Sequence, residues 1–190
     1  WLSPGSHPSY QIFYDDSSSE TWYRVSNPNA AHDYFAVRFT PPASDPAAYP
    51  MAIQTVNIYM ERSDPIPNVW VAPDLNGAPD LENPIRNWTD ISADGDPGWI
   101  NAEANGEVFL ETDADFWVIW QFPPNQTGPG SGSDNSAPDL RSYWTWDNTP
   151  GVWNQWNWND WMARVWLGGP HGEGGFVLST GTPTGYRVDE

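Results

Sequence analysis

Pro and Gly cut this chain into short pieces. Its 190 residues include 20 Pro and 16 Gly, which leave few uninterrupted stretches in which a helix could propagate. The pieces between them are rich in Val, Ile, Tyr, Phe, Trp and Thr, residues that suit a pleated, half-buried surface. The clearest piece runs from Tyr34 to Thr40. There Phe35, Val37 and Phe39 alternate with Ala36, Arg38 and Thr40, giving one buried face and one wetter face. Val56, Ile58 and Met60 repeat that period. Residues 116–122 are apolar on both faces, as in a strand covered from both sides. No segment longer than about ten residues carries an i, i+3, i+4 stripe.

Strands are therefore expected at residues 10–14, 21–25, 34–40, 53–61, 68–72, 98–102, 107–111, 116–122, 141–146, 161–167 and 176–179. Short strands at this spacing, with no helical pattern, predict an all-β fold, an antiparallel β-sandwich of jelly-roll type. One sandwich domain is expected over residues 10–167. A strand-like N-terminal extension occupies 1–9 and a Gly-hinged, strand-like C-terminal extension 168–190. Residues 41–50, 73–84 and 123–138 read as loops, the last being a Gly, Ser and Pro run of low hydrophobicity.

Charge and missing residue types exclude several functions. Asp and Glu number 25 against seven basic residues, all Arg, for a net charge of −18. Such a chain offers no basic face to nucleic acid. With no Cys, disulfides, zinc–thiolate sites and a cysteine nucleophile are excluded. With no Lys, an intramolecular Lys–Asn crosslink is excluded too. No apolar run approaches the roughly 20 residues of a spanning helix, so membrane insertion is not expected. Disorder is also excluded, because 15% of the residues are aromatic. Beginning at Trp1 without a charged-then-apolar leader, the chain reads as a mature, processed product. Sequons stand at Asn87 and Asn125, and such triplets also arise by chance.

Three segments together resemble a known family. They are Tyr14-Asp15-Asp16 with Glu20, the run from Tyr34 to Pro42, and Asp115-Phe116-Trp117-Val118 followed by Arg141-Ser142-Tyr143 and Asp160-Trp161-Met162-Ala163-Arg164. In order and spacing this is similar to a family of extracellular bacterial β-sandwich accessory modules, over roughly residues 10–167. The resemblance implies a secreted, non-catalytic module at or outside the cell surface. It departs from the family pattern after Leu167, where a Gly-rich hinge and a further apolar segment follow.

Acidic residues cluster at Asp15-Asp16 with Glu20, at Asp90, Asp94 and Asp96, and at Glu111, Asp113 and Asp115. Calcium takes six to eight oxygens, mostly carboxylates and carbonyls from loops, and would relieve the self-repulsion of so acidic a chain. By analogy with jelly-roll carbohydrate-binding modules, Asp16 or Glu20 would share the ion with Asp160. The alternative is that these acids form solvated turns. No EF-hand spacing is present.

Fourteen Trp are far more than average, and six lie between residues 144 and 161. Trp144 and Trp146 would share one strand face, and Trp156 and Trp158 another. Exposed indoles stack on sugar rings, and Asn154, Asn157, Asn159 and Asp147 could bind hydroxyls. Packing is the competing use of Trp, and Trp70, Trp99, Trp117, Trp120, Trp161 and Trp166 read as core or sheet residues. No nucleophile elbow, zinc helix or phosphate loop appears, and the three His residues are scattered, so an enzyme is not expected.

Two functions follow. The first is a subunit of an extracellular filament or surface assembly, a homopolymer held by terminal strand exchange. Its donors would be Phe176, Val177 and Leu178, or Trp1 and Leu2 at the other end. The tail folding back onto its own sandwich is the alternative to donation. The second function is a calcium-stabilised module that binds polysaccharide through the Trp-rich region 144–161.

Overall fold

A computed structural model describes residues 10–24, 33–41, 49–122, 128–135, 138–145, 152–168 and 186–187, with the backbone alone for 105–107 and 186–187. The described residues contain no helix. Their strands form two antiparallel sheets packed face to face, the all-β sandwich expected from the alternation.

The first sheet is built on β4 (Met51–Met60). On one side it pairs with β8 (Gly98–Leu110). On the other come β14 (Ala163–Gly168), β1 (Tyr10–Phe13) and β15 (Tyr186–Arg187). At the end of β4, β10 (Ser131–Asp134) joins the sheet and carries β2 (Thr21–Tyr23) and β13 (Asp160–Trp161). The second sheet runs β12 (Asn154–Gln155), β11 (Ser142–Thr145), β3 (Tyr34–Phe39), β9 (Phe116–Gln121), β5 (Ile66–Leu75). Beyond β5 lie β6 (Ala78–Pro79) and β7 (Arg86–Ile91).

Alternation decides which side chains meet. Val56, Ile58, Ile100 and Val165 of the first sheet pack against Phe35, Val37, Val71, Val118 and Trp120 of the second. Burying each large side chain contributes about 1.5–3 kcal/mol. A smaller cluster covers the outer face of the second sheet, where Ala36, Ala72, Trp117, Ile119 and Tyr143 are capped by Leu81 and Trp153. Strand β9 is thus buried on both faces, as its unbroken apolar run predicts.

Three features differ from expectation. The strands expected at 98–102 and 107–111 are one strand, β8, and its pairing with β4 shifts register between Ile53 and Thr55. The expected loop at 73–84 holds the end of β5 and a hairpin. Asn76 and Gly77 both take positive φ there, 57° and 86°, as a tight two-residue turn requires. The expected loop at 123–138 contains β10, all four of whose residues are buried.

At the C-terminus, Tyr186 and Arg187 pair with Ile12 and Gln11 of the same chain. The proposed strand donors Trp1, Leu2, Phe176, Val177 and Leu178 lie outside the described residues, as does Trp146.

Candidate functional site

Strand β10 creates the site. Its sequence is Ser-Gly-Ser-Asp, and it pairs with β2 on one side and β13 on the other. The Glu20 N–H donates to the Ser133 carbonyl at 3.1 Å, and the Met162 N–H to the Gly132 carbonyl at 3.1 Å. These bonds bring the turn after β1, residues 15–20, against the end of β10.

That turn is held by its own acids. Asp15 accepts the Ser17 N–H at 2.9 Å, with Ser17 at φ 77°. Asp16 accepts both the N–H and the hydroxyl of Ser18, at 2.9 and 2.6 Å. The Ser18 hydroxyl also contacts Glu20. The turn then docks on β10. The Asp16 N–H donates to Asp134 Oδ2 at 2.7 Å, and Glu20 Oε2 accepts the Asn135 N–H at 3.0 Å.

The outcome is three carboxylates, from Asp16, Glu20 and Asp134, with one oxygen from each inside a span of 4.8 Å. Asp134 is fully buried, whereas Asp16 and Glu20 open to solvent. Hydrogen bonds from Ser18 hold the Asp16 carboxyl below its usual range. Among the described residues no other such trio of potential metal ligands comes as close. An all-oxygen set of this kind suits a hard divalent cation such as calcium.

Asp16 and Glu20 thus stand together, with Asp134 as the third member. Asp160 stands on β13 directly opposite Asp134. It is 1% exposed, and its oxygens accept the Asp139 N–H at 3.0 Å and the Ser142 hydroxyl at 3.3 Å. Burial pushes its carboxyl up to about 6.

The other acids are engaged elsewhere. Asp94 accepts the Trp99 N–H at 2.8 Å, and Asp96 accepts the Ser63 N–H. Asp113 is exposed in the turn before β9. Asp115 accepts the Thr40 hydroxyl at 2.6 Å and lies 3.5 Å from Arg38 and 3.6 Å from Arg141.

The Trp-rich segment borders the same strand. Trp158 is 71% exposed, the most open of the large apolar side chains described. Its ring lies 5.6 Å from that of Trp156 at 55°. Trp156 is itself partly buried, stacked on Trp161 at 5.1 Å and edge-on to Tyr23 at 5.0 Å. Trp161 in turn stacks on Phe35 at 4.1 Å. Trp144 packs partly buried against the main core. Asn154, Gln155 and Asn157 are exposed in the same segment, Gln155 donating to the Leu140 carbonyl at 2.7 Å, and buried Asn159 donates to the Ser133 hydroxyl at 3.3 Å. Trp158 is therefore one residue from a side chain anchored on β10, the strand that supplies Asp134.

Sequence reasoning missed Asp134 because hydropathy sees only a Gly/Ser loop there. The reason for the Gly appears only in the folded chain. A Cβ on Gly132 would lie 2.8 Å from the Tyr59 ring and 3.2 Å from that of Trp22.

No protein-family model matches the chain, and no curated protein matches it in sequence. Among solved structures, it is similar to the cysteine protease and lectin-like domains of Cwp84, a surface layer associated protein of Clostridium difficile. The TM-score is 0.53 at 12% identity, over 74% of this chain and 33% of that one. This chain thus spans a third of the length of that solved chain, and the likeness is one of fold alone.

Proposed function

We propose that this chain is an extracellular, non-catalytic carbohydrate-binding module stabilised by calcium. The observation that carries the reading is the meeting, on β10, of an open indole segment with three converging carboxylates. Calcium at Asp16, Glu20 and Asp134 would clamp the turn 15–20 to β10 and so steady the edge that presents Trp158. Trp158 would stack on a sugar ring, and Asn157, Asn154 and Gln155 would bind its hydroxyls. The fold likeness to a structure that includes lectin-like domains of a bacterial surface-associated protein supports the same reading.

Filament assembly by strand exchange has no observation in its favour among the described residues. The edge of β1 is filled by Tyr186–Arg187 of the same chain.

The test is retention on a panel of insoluble polysaccharides, with calcium and with chelator. Retention that weakens in chelator is expected. A protein that passes through every matrix in both buffers refutes the reading.

A further inference from the structure

The outer face of the first sheet bears a second aromatic surface, which does not include Trp158. Register sets it out in rows across the strands. In one row Trp99 of β8 stands opposite Tyr59 of β4, and Trp22 of β2 opposite Gly132 of β10. Because Gly132 has no side chain, Trp22 leans over toward Tyr59. Successive ring centroids are 5.4 Å apart from Trp22 to Tyr59 and 4.9 Å from Tyr59 to Trp99.

The next row is polar. Arg164 of β14, Asn57 of β4 and Asn101 of β8 are register partners, and the Asn57 amide donates to Asn101 Oδ1 at 2.6 Å. The row beyond pairs Trp166 with Thr55 and Thr55 with Glu103. Their strand neighbours Ile58, Ile100 and Val165 are all buried in the core, so alternation turns these rows outward. Asn101 and Glu103 are exposed, and Trp22, Tyr59, Trp99 and Trp166 are partly exposed.

Both cations on this face are paired. Arg164 lies over the Trp99 ring at 4.6 Å and is neutralised by Asp15. Arg24 pairs with Glu61 just beyond Trp22 and Tyr59, and two carboxylates edge the rows, Glu103 beside Thr55 and Asp94, which accepts the Asn101 amide at 3.3 Å. On a chain of net charge −18, a surface of rings and amides edged by carboxylates selects against an anionic partner. Its chemistry is complementary to an uncharged, hydroxyl-rich chain whose C–H faces stack on the rings while the amides bind its hydroxyls.

We propose that the outer face of the first sheet is a second glycan-binding surface, which takes a neutral polysaccharide strand along the line Trp22–Tyr59–Trp99 with Asn57 and Asn101 beside it. This rests on the carbohydrate-binding reading above and extends it from a single sugar contact to an elongated one.

The experiment adds cellohexaose, laminarihexaose, chitohexaose and polygalacturonate in turn to the 15N-labelled protein and follows the indole N–H resonances. These are assigned with Trp22→Phe, Trp99→Phe and Trp158→Phe. Binding of a neutral hexasaccharide should shift the Trp22 and Trp99 signals. Asn101→Ala, at an exposed site, should weaken that binding, and Trp99→Ala should weaken it by about tenfold or more, as loss of a stacking ring does elsewhere. Shifts confined to Trp158 overturn this surface and leave the Trp158 site standing. A preference for polygalacturonate also overturns it. Silence of all three indoles with every sugar overturns both sites.

Discussion

Asp134 and Asp160 stand directly opposite each other on β10 and β13, and both are buried. Burial, with smaller contributions from the nearby Asp139 and Asp134 charges, pushes Asp160 up to about 6. An unfolded Asp titrates near 3.9. The folded protein therefore holds more protons than the unfolded chain between about pH 4 and pH 6, so stability falls as pH rises through that window. The full contribution is present below about pH 4 and is lost above the folded pKa. Two pKa units correspond to about 3 kcal/mol at most. Denaturant melts from pH 4 to pH 7 in chelator should show this fall. Asp160→Asn, which keeps an oxygen for the Asp139 N–H, should flatten it. An unchanged slope would remove Asp160 as its source.

Calcium should raise the melting temperature. A ligand at a hundred times its Kd stabilises the native state by about 2.7 kcal/mol, which for a chain of this size is about 5–10 °C. Glu20→Gln keeps an acceptor for the Asn135 N–H but removes one charge from the trio. It should leave the midpoint in chelator unchanged and shrink the calcium-induced rise. A full rise in the variant would place the ion elsewhere.

Arg164 and Asp15 form an ion pair in which the Asp15 side chain is 0% exposed and Arg164 only 17%. Arg164 also lies between the Phe13 and Trp99 rings, 5.3 and 4.6 Å from their centroids. Removing one partner leaves the other desolvated and unpaired, at a cost of about 3–5 kcal/mol. Asp15→Ala should therefore destabilise strongly. Arg164→Met, which removes the cation but retains the packing stem, combined with Asp15→Asn should cost less than the single Asp15→Ala. Urea melts at neutral pH measure both, and equal losses would mean that the pair acts through packing alone.

What the sequence made legible was periodicity. The alternation at 34–40 and the two-sided run at 116–122 found β3 and the doubly covered β9. Asn76-Gly77 marked its turn. Strand β10 escaped because Ser, Gly and Ser carry no apolar signal. Gly132 is small because Trp22 and Tyr59 close over it, and contact between residues so far apart in the chain is invisible in a local window. Asp134 was hidden with it, so Asp16 and Glu20 were found without their third member. The row of Trp22, Tyr59 and Trp99 was illegible for the same reason: the three belong to separate strands and meet only through register.

Trp156 and Trp158 separate a packed indole from an open one. They are two residues apart, but Trp156 is held between Tyr23 and Trp161 while Trp158 is 71% exposed. Trp156→Ala opens a gap beside the core and should destabilise by about 3 kcal/mol, at the lower end for a lost large aromatic. Trp158→Ala removes few packing contacts, so its melting midpoint should match the parent's. Its retention on polysaccharide should nevertheless fall by about 1–3 kcal/mol of binding energy, by analogy with aromatic stacking on bases. Calorimetric melts and affinity electrophoresis on the two variants give both readouts. A Trp158→Ala protein that binds like the parent would mean that this indole's exposure serves no sugar.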